Sequence, residues 1–498
     1  MLRVRRAGAE ARGAREAHRA DARPRAGIRR VRPAGAVRLR GHAVDQLLGS
    51  LVDFVCEVDH KTLGSGAVSR AVRHTLDTIG CGAGGFHSRP VEIARGMATG
   101  VSGPVQASLY GSPNRVLVDV AAFANISANR NLDFNDFGLS GHPSDMIGGL
   151  FAMAEASCAT GADLVCAVYL AYEIATALAE ASPLSESGWD QGLYCSLGAA
   201  AGMAKLRGLD REQVANALAL AIVPSVPLRA TRSGELSEWK GSATAHAIMT
   251  ASFAVRLAER GMTGPAEPFE GKDGLFERAL PPFQVELGGE GPSGIERATL
   301  KRYPACYWGQ TGIDAMLALR PRVDVAQVER IDVATCHSSW WVTAGGCGDA
   351  DAKWHPRTRE SADHSLPYML AAALVDGKVT DDSFSDERRA DPALAAVVGR
   401  VRVVEDAELT ARSDRDRCPT DVTLVLADGR QVNEVCDVPR GHPANPMTDV
   451  EVREKFDGLV CRALPPERGA ELGDRLSALD EAESLEPIAR LLRAFDKR

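Results

Sequence analysis

Residues Leu197–Val223 read LGAAAGMAKLRGLDREQVANALALAIV, and the punctuation inside this stretch decides the architecture. Alanine and leucine favour helix. Gly208 is placed to close one helix, and Asp210 with Gln213 makes the D-x-x-Q capping pattern that opens the next. The same texture extends outward on both sides. Leu47, Leu48, Leu51, Val52 and Val55 recur at helical intervals, and DLVCAVYLAYEIATALAEA and TAHAIMTASFAVRLAERG carry the pattern to about residue 285. So many helices joined by short turns predict a bundle in which alanine and glycine allow close approach.

After Gly288 the texture changes. RIDVATCHS and RVRVVED alternate apolar and polar residues, and TDVTLVLADGRQVNEVCDV predicts two strands joined at Asp428-Gly429, a hairpin signal. Helical stretches GQTGIDAMLALR and LPYMLAAALVDG lie among them, and VEVREKFDGLVCRAL and IARLLRAFDK return to helical spacing. The expected class is therefore mainly α with an α+β part. The expected divisions are an extension at 1–40, a helical domain at 41–294, a smaller α+β domain at 295–440, and C-terminal helices at 441–498 that rejoin the helical domain.

With 498 residues, 45% of them hydrophobic, the chain can bury a large core. Eleven cysteines stand singly, with no CxxC and no zinc-type or iron–sulfur-type spacing, which reads as reduced thiols in a cytoplasmic protein. The longest apolar tract, around Leu197–Val223, is cut by Lys205, Arg207 and the GLDREQ turn, so no membrane span is expected. The net charge of -8 conceals a head with thirteen arginines against Glu10, Glu16 and Asp21 in its first 40 residues. That head is expected to be a disordered extension, in preference to an organelle transit peptide or a nucleic-acid arm. The acidic body speaks against nucleic acid as a partner.

Four polar clusters interrupt the apolar landscape. LDFNDFGLSGHPSD (132–145) supplies Asp133, Asp136, His142 and Asp145. Ser144 or Asp145 suits the cap of the helix that follows, but a cap does not explain Asp133, Asp136 and His142. A carboxylate beside an imidazole is what a general base near neutral pH needs. RATRSGELSEWKGSATAHA places Lys240 at a helix start, either as a solvated charge or as a cation for a substrate carboxylate. LKRYPACYW brings Lys301 to the expected domain boundary, where ligand sites concentrate. KWHPRTRESADHSLPYML carries His355, Arg357, Arg359, His364 and Tyr368 ahead of another apolar helix, either as a polar cap or as a lid over a ligand. Together these describe a pocket for a small polycarboxylate containing an acid and a base. Dinucleotide, P-loop, nucleophile-elbow and zinc-protease motifs are absent, which leaves chemistry by proton transfer.

At these clusters, and at PRGHPANPMTDVEVREKF, the chain resembles the MmgE/PrpD family over about residues 45–490. The resemblance implies a large all-helical domain with a smaller α+β lid inserted, a homodimer, and an active site between the domains that works without metal or organic cofactor. It carries catalytic roles onto Asp133, Asp136, His142, Lys240, Lys301 and Tyr368. His142 would be oriented by Asp133 or Asp136, Lys240 and Lys301 would hold carboxylates, and Tyr368 would donate a proton or a hydrogen bond. Three departures fall at the implied pocket: Asp190 and Gln191 stand where a histidine is common, Cys306-Tyr307-Trp308 replaces an acid–Phe–His run, and Phe137 replaces a threonine. Asp190, Gln191, Trp308 and His364 are accordingly expected to contact substrate. The implied activity is dehydration of a 2-methylcitrate-like acid. Decarboxylation of a cis-aconitate-like acid, epimerisation of a dicarboxylate, and a catalytically weakened binding protein are the alternatives.

Overall fold

The computed structural model describes residues 37–39, 41–184, 187–289, 291–414 and 416–496. Order begins inside the stretch expected to be an extension: β1 (Arg38–Leu39) pairs antiparallel with β2 (His42–Ala43), and Leu39 is buried in the main core. The remainder of the expected disordered head, residues 1–36 and 40, lies outside the described residues.

The main helices are α1 (Gln46–Glu57), α2 (Ser65–Gly85), α3 (Arg89–Ala98), α4 (Val118–Asn131), α5 (Asp145–Ala156), α6 (Gly161–Ala181), α7 (Gly192–Leu206), α8 (Arg211–Ile222) and α9 (Ala243–Glu259). A short antiparallel ribbon, β3 (Gln106–Ser108) and β4 (Arg115–Leu117), precedes α4. The break between α7 and α8 follows the sequence closely. Gly208 adopts the left-handed φ of 64°, and Asp210 and Gln213 exchange the two hydrogen bonds of a capping box.

Helix α7 packs on α6 and α9, and small residues decide how closely. A Cβ on Gly198 would lie 2.5 Å from the Ala171 carbonyl oxygen, and one on Gly202 would lie 2.7 Å from that of Ala167. The two helices thus meet backbone to backbone. Helix α6 is long and apolar enough to cross a membrane, but 83% of its apolar window is buried inside the fold, as befits a central core helix.

The apolar side chains form two large clusters. One runs from Leu39 to Leu300 and resumes with Met447, gathering Phe456, Leu472, Ile488 and Leu492 from the helices Asp449–Val460, Pro466–Ser477 and Glu486–Arg493. The other runs from Tyr303 to Leu426. It lies between the helices Gln310–Leu319 and Leu366–Asp376 and a four-stranded sheet of β5 (Val328–Thr335), β6 (Val401–Glu405), β7 (Thr420–Leu426) and β8 (Gln431–Cys436), in the order β6-β5-β7-β8. Strands β5 and β6 are parallel and the other pairs antiparallel, with the β7–β8 turn at Asp428-Gly429, where Gly429 has φ 83°. The protein is mainly α with an α+β part.

Segments from both clusters meet at the loop after α4. Arg359 donates to the carbonyls of Asn131 (3.2 Å) and Leu132 (3.3 Å), oxygens that a helix end leaves without intrahelical donors. Lys455, from the C-terminal helix Asp449–Val460, donates to the carbonyls of Phe134 (2.7 Å) and Lys301 (2.9 Å). The loop is therefore held from two directions. Ser144 does not cap α5 as expected, because its hydroxyl is turned back to Asp136.

Candidate active site

The loop opens with a strained residue. Asp133 has φ 51°, in the left-handed region that costs a non-glycine residue energy, and such strain persists only where surrounding contacts impose it. Those contacts are cationic. Arg130, in the last turn of α4, pairs with Asp133; Lys301 Nζ lies 3.0 Å from Asp133 Oδ2, and Lys240 Nζ 3.9 Å from Oδ1. Burial alone would raise the pKa of Asp133, but the charges of Arg130, Lys240 and Lys301 hold it well below the usual carboxylate range. Asp133 is a buried anion at neutral pH.

Two histidines flank it. His142 Nε2 lies 3.7 Å from Asp133 Oδ1, and His364 Nε2 lies 3.9 Å from Oδ2. His142 Nδ1 is 2.6 Å from the backbone carbonyl of Asp136. A carbonyl can only accept, so Nδ1 carries the proton and Nε2 keeps a free lone pair. Burial, with the charges of Arg130 and Lys301, holds His142 well below the usual imidazole range. His364 is displaced the other way. Burial and the Lys240 charge press its proton off, but Cys306 and the Asp363 carboxylate beside Nδ1 outweigh them and raise its pKa. One ring is a neutral base and the other is stabilised as a cation.

Around these groups lies a cavity of about 420 Å³, with Arg130, Asp133, His142, Cys306 and His364 in its wall. Phe137 and Tyr307 stack at 4.0 Å, Trp308 meets both edge-on, and these three line another part of the wall. Arg229 and Arg232, on one turn of 3-10 helix, also line it. A larger groove of about 900 Å³ beside α2 holds Arg73, Asp449, Arg453, Glu454 and Asp480, with no histidine. Acid–base chemistry therefore points to the smaller cavity.

Of the residues expected in the site, the fold brings Asp133, His142, Lys240, Lys301 and His364 into one cluster. The lysines lie behind the wall. Lys301 Nζ is surrounded by three oxygens, those of Asp133 (backbone, 2.7 Å; side chain, 3.0 Å) and Ala305 (3.3 Å). Lys240 Nζ sits 3.2 Å from Asp363 Oδ1 and 3.1 Å from His364 Nδ1. Both are spent on holding the anions in place, so the expectation that they face substrate carboxylates is corrected. Gln191 and Trp308 line the cavity. Asp190 does not: it is fully buried and pairs with Arg232 Nε at 2.6 Å.

Tyr368 is not brought to the cavity. Its hydroxyl donates to the Ser383 carbonyl (2.7 Å) in the second core, beside Phe384, and burial pushes the phenol up to about 12. Asp136 orients His142 through its backbone carbonyl alone, while its carboxylate accepts from Tyr172 (2.8 Å) and Ser144. Asp133, Asp363 and His364 could offer ligand atoms to a metal within 4.8 Å of one another. Lys240 Nζ already stands 3.2 and 3.9 Å from the two carboxylates, where a cation would sit. Sequence reasoning placed Cys306 at the implied pocket without giving it a role, and missed Arg130 and Asp363. Both had a signal, since each is the ion-pairing neighbour of a residue already singled out.

Residues 49–288 match the MmgE/PrpD N-terminal domain and residues 303–479 the MmgE/PrpD C-terminal domain. The chain belongs to the MmgE/PrpD family. Among its curated relatives is a 2-methylcitrate dehydratase of Cupriavidus necator, 30% identical over 85% of this chain and 92% of that protein. The 2-methylcitrate dehydratase of Escherichia coli K12 is 26% identical over 84% of this chain and 91% of its own. A cis-aconitate decarboxylase-like protein of Aspergillus oryzae, oryM, is 24% identical over 89% of this chain and 96% of its own. Several MmgE/PrpD relatives thus carry the name of a dehydratase, which supports an enzyme of the lyase class.

Proposed function

We propose that this MmgE/PrpD protein is a hydro-lyase that dehydrates a 2-methylcitrate-like hydroxy polycarboxylate, with His142 as general base and His364 as general acid. One observation carries the reading: two histidines, each within 4 Å of the same buried carboxylate, are displaced in opposite directions. Environments that push two titratable groups apart assign the base and the acid.

In the forward direction His142 Nε2 takes the proton from the carbon beside a carboxylate. The electron pair left on that carbon forms the double bond as the carbon–oxygen bond breaks, and His364 gives its proton to the departing hydroxyl, which leaves as water. Asp133, between the two rings, stabilises the imidazolium that forms on His142. Arg130, Lys240 and Lys301 keep Asp133 charged and in position. A decarboxylase is the second reading, favoured by the relative from Aspergillus oryzae. There the same His364 would protonate the carbanion left by loss of carbon dioxide.

The test is a proton NMR time course in heavy water with 2-methylcitrate, citrate and cis-aconitate, beside His142→Ala. The proposal expects an olefinic product from a hydroxy acid, lost in the variant: a new vinyl proton from citrate, or from 2-methylcitrate a vinyl proton or the methyl doublet replaced by a downfield singlet, according to which carbon loses its proton. Carbon dioxide release from cis-aconitate without dehydration of either hydroxy acid would replace it with the second reading, and no change in any of the three substrates would refute both.

A further inference from the structure

The cations of the cavity divide into those already used and those left over. Lys301 is enclosed by three oxygens, Lys240 is held by Asp363, and Arg232 is paired with Asp190. Two arginines remain. Arg130 is 99% buried; its Nη1 serves Asp133, its Nε is 3.7 Å from Asp145 Oδ2, and Nε and Nη2 have no hydrogen-bond partner. A buried guanidinium with idle donors in a cavity wall is costly unless a ligand supplies the acceptors. Arg229, half-buried in the same wall, has no ion-pair partner among the described residues. Burial and the Arg232 charge both press against its ionisation, while Asp190 is taken by Arg232.

We infer that Arg130 and Arg229 form a two-point clamp for two carboxylates of one small ligand, with the aromatic wall of Phe137, Tyr307 and Trp308 facing its uncharged part. Guanidinium suits this role because its planar fork matches a carboxylate. The clamp deepens the proposed function, on which it rests for its choice of ligand: carboxylate recognition passes from the lysines to the arginines, and the favoured substrate is a di- or tricarboxylate rather than a monoacid.

The test is a binding measurement, independent of turnover. Trp189 and Trp308 line the cavity, so intrinsic fluorescence can report the titration. The probes are tricarballylate, which has no hydroxyl to eliminate, and butyrate, which has one carboxylate. Wild-type protein is expected to bind tricarballylate more tightly than butyrate. Arg229→Gln should weaken tricarballylate about ten- to hundredfold and leave butyrate little changed, and Arg229→Lys should fall between. Arg322→Gln, at an exposed pair with Glu434, should behave as wild type. Equal affinity of the wild type for the two probes, or undiminished tricarballylate binding in Arg229→Gln, would overturn the clamp. Arginine-dependent binding in a protein that yields neither olefinic product nor carbon dioxide would retain the clamp and refute the proposed reaction.

Discussion

Replacing Asp363 by asparagine isolates the acid half of the proposed pair. Asp363 is fully buried and accepts from His364 Nδ1, from Lys240 Nζ at 3.2 Å and from Arg359 Nη1 at 3.0 Å. A hydrogen bond between charged groups contributes about 1.5–3 kcal/mol. At about 1.4 kcal/mol per unit, its loss lowers the pKa of His364 by about one to two units. His142 has no contact with Asp363 and should keep its value. In a kcat/KM profile the acid limb reports protonation of His142, and the alkaline limb reports loss of the proton from His364. Asp363→Asn is therefore expected to pull the alkaline limb down by about one to two units while the acid limb stays put. Leaving Lys240 and Arg359 short of a partner also destabilises the fold, by about 3–5 kcal/mol for a buried pair, so the assay is run well below the unfolding transition and checked by circular dichroism. An unmoved alkaline limb, or an acid limb that moves in its place, would refute the assignment of His364 as the acid.

Other outcomes follow from other contacts. Asp133 and Asp363 are both held below the usual carboxylate range, so the stability they provide is complete above a pH of about 4 and is lost as pH falls through their folded values, which denaturant midpoints at several acid pH values would report. Glu173 on α6 behaves oppositely. Burial pushes it up to about 7, so the protein loses stability as pH rises from about 4.5 to about 7, and Glu173→Gln should flatten that slope in the same titration. Gly198→Ala drives a methyl against the Ala171 carbonyl and should cost about 1–3 kcal/mol in chemical denaturation. Cys306 lines the cavity, and although burial alone would raise its thiol, His364 draws it below the usual value. Peptide mapping after iodoacetamide treatment should find Cys306 labelled and Cys195, whose thiol burial pushes far up, unlabelled, with tricarballylate slowing the first.

The helical framework was legible because it rests on local signals: alanine and leucine spacing, Gly208, and the box of Asp210 and Gln213. The hairpin at Asp428-Gly429 was legible for the same reason. The meeting of the four polar clusters could also be anticipated, since each sits where an apolar run breaks. What composition does not encode is which atom does the work. Asp136 acts on His142 through its carbonyl, which any residue possesses, and its side chain turns to Tyr172 and Ser144. The lysines announced positive charge, but the carboxylates that use it, Asp133 and Asp363, come from residues distant in sequence. Tyr368 sits in the first turn of its helix, and packing beside Phe384 turns its hydroxyl to Ser383, a contact with no signature in the motif around it. Arg130 was overlooked because an arginine in an alanine- and asparagine-rich helix reads as a surface charge until the fold shows it sealed inside.

The central claim is that His142 and His364 rest in opposite protonation states in one cavity. Nitrogen NMR of histidine-labelled protein near neutral pH reads this directly, with His142→Gln and His364→Gln assigning the signals. The account predicts His142 as a neutral ring protonated on Nδ1 and His364 as a ring protonated on both nitrogens. Two neutral rings, or a cationic His142, would contradict it.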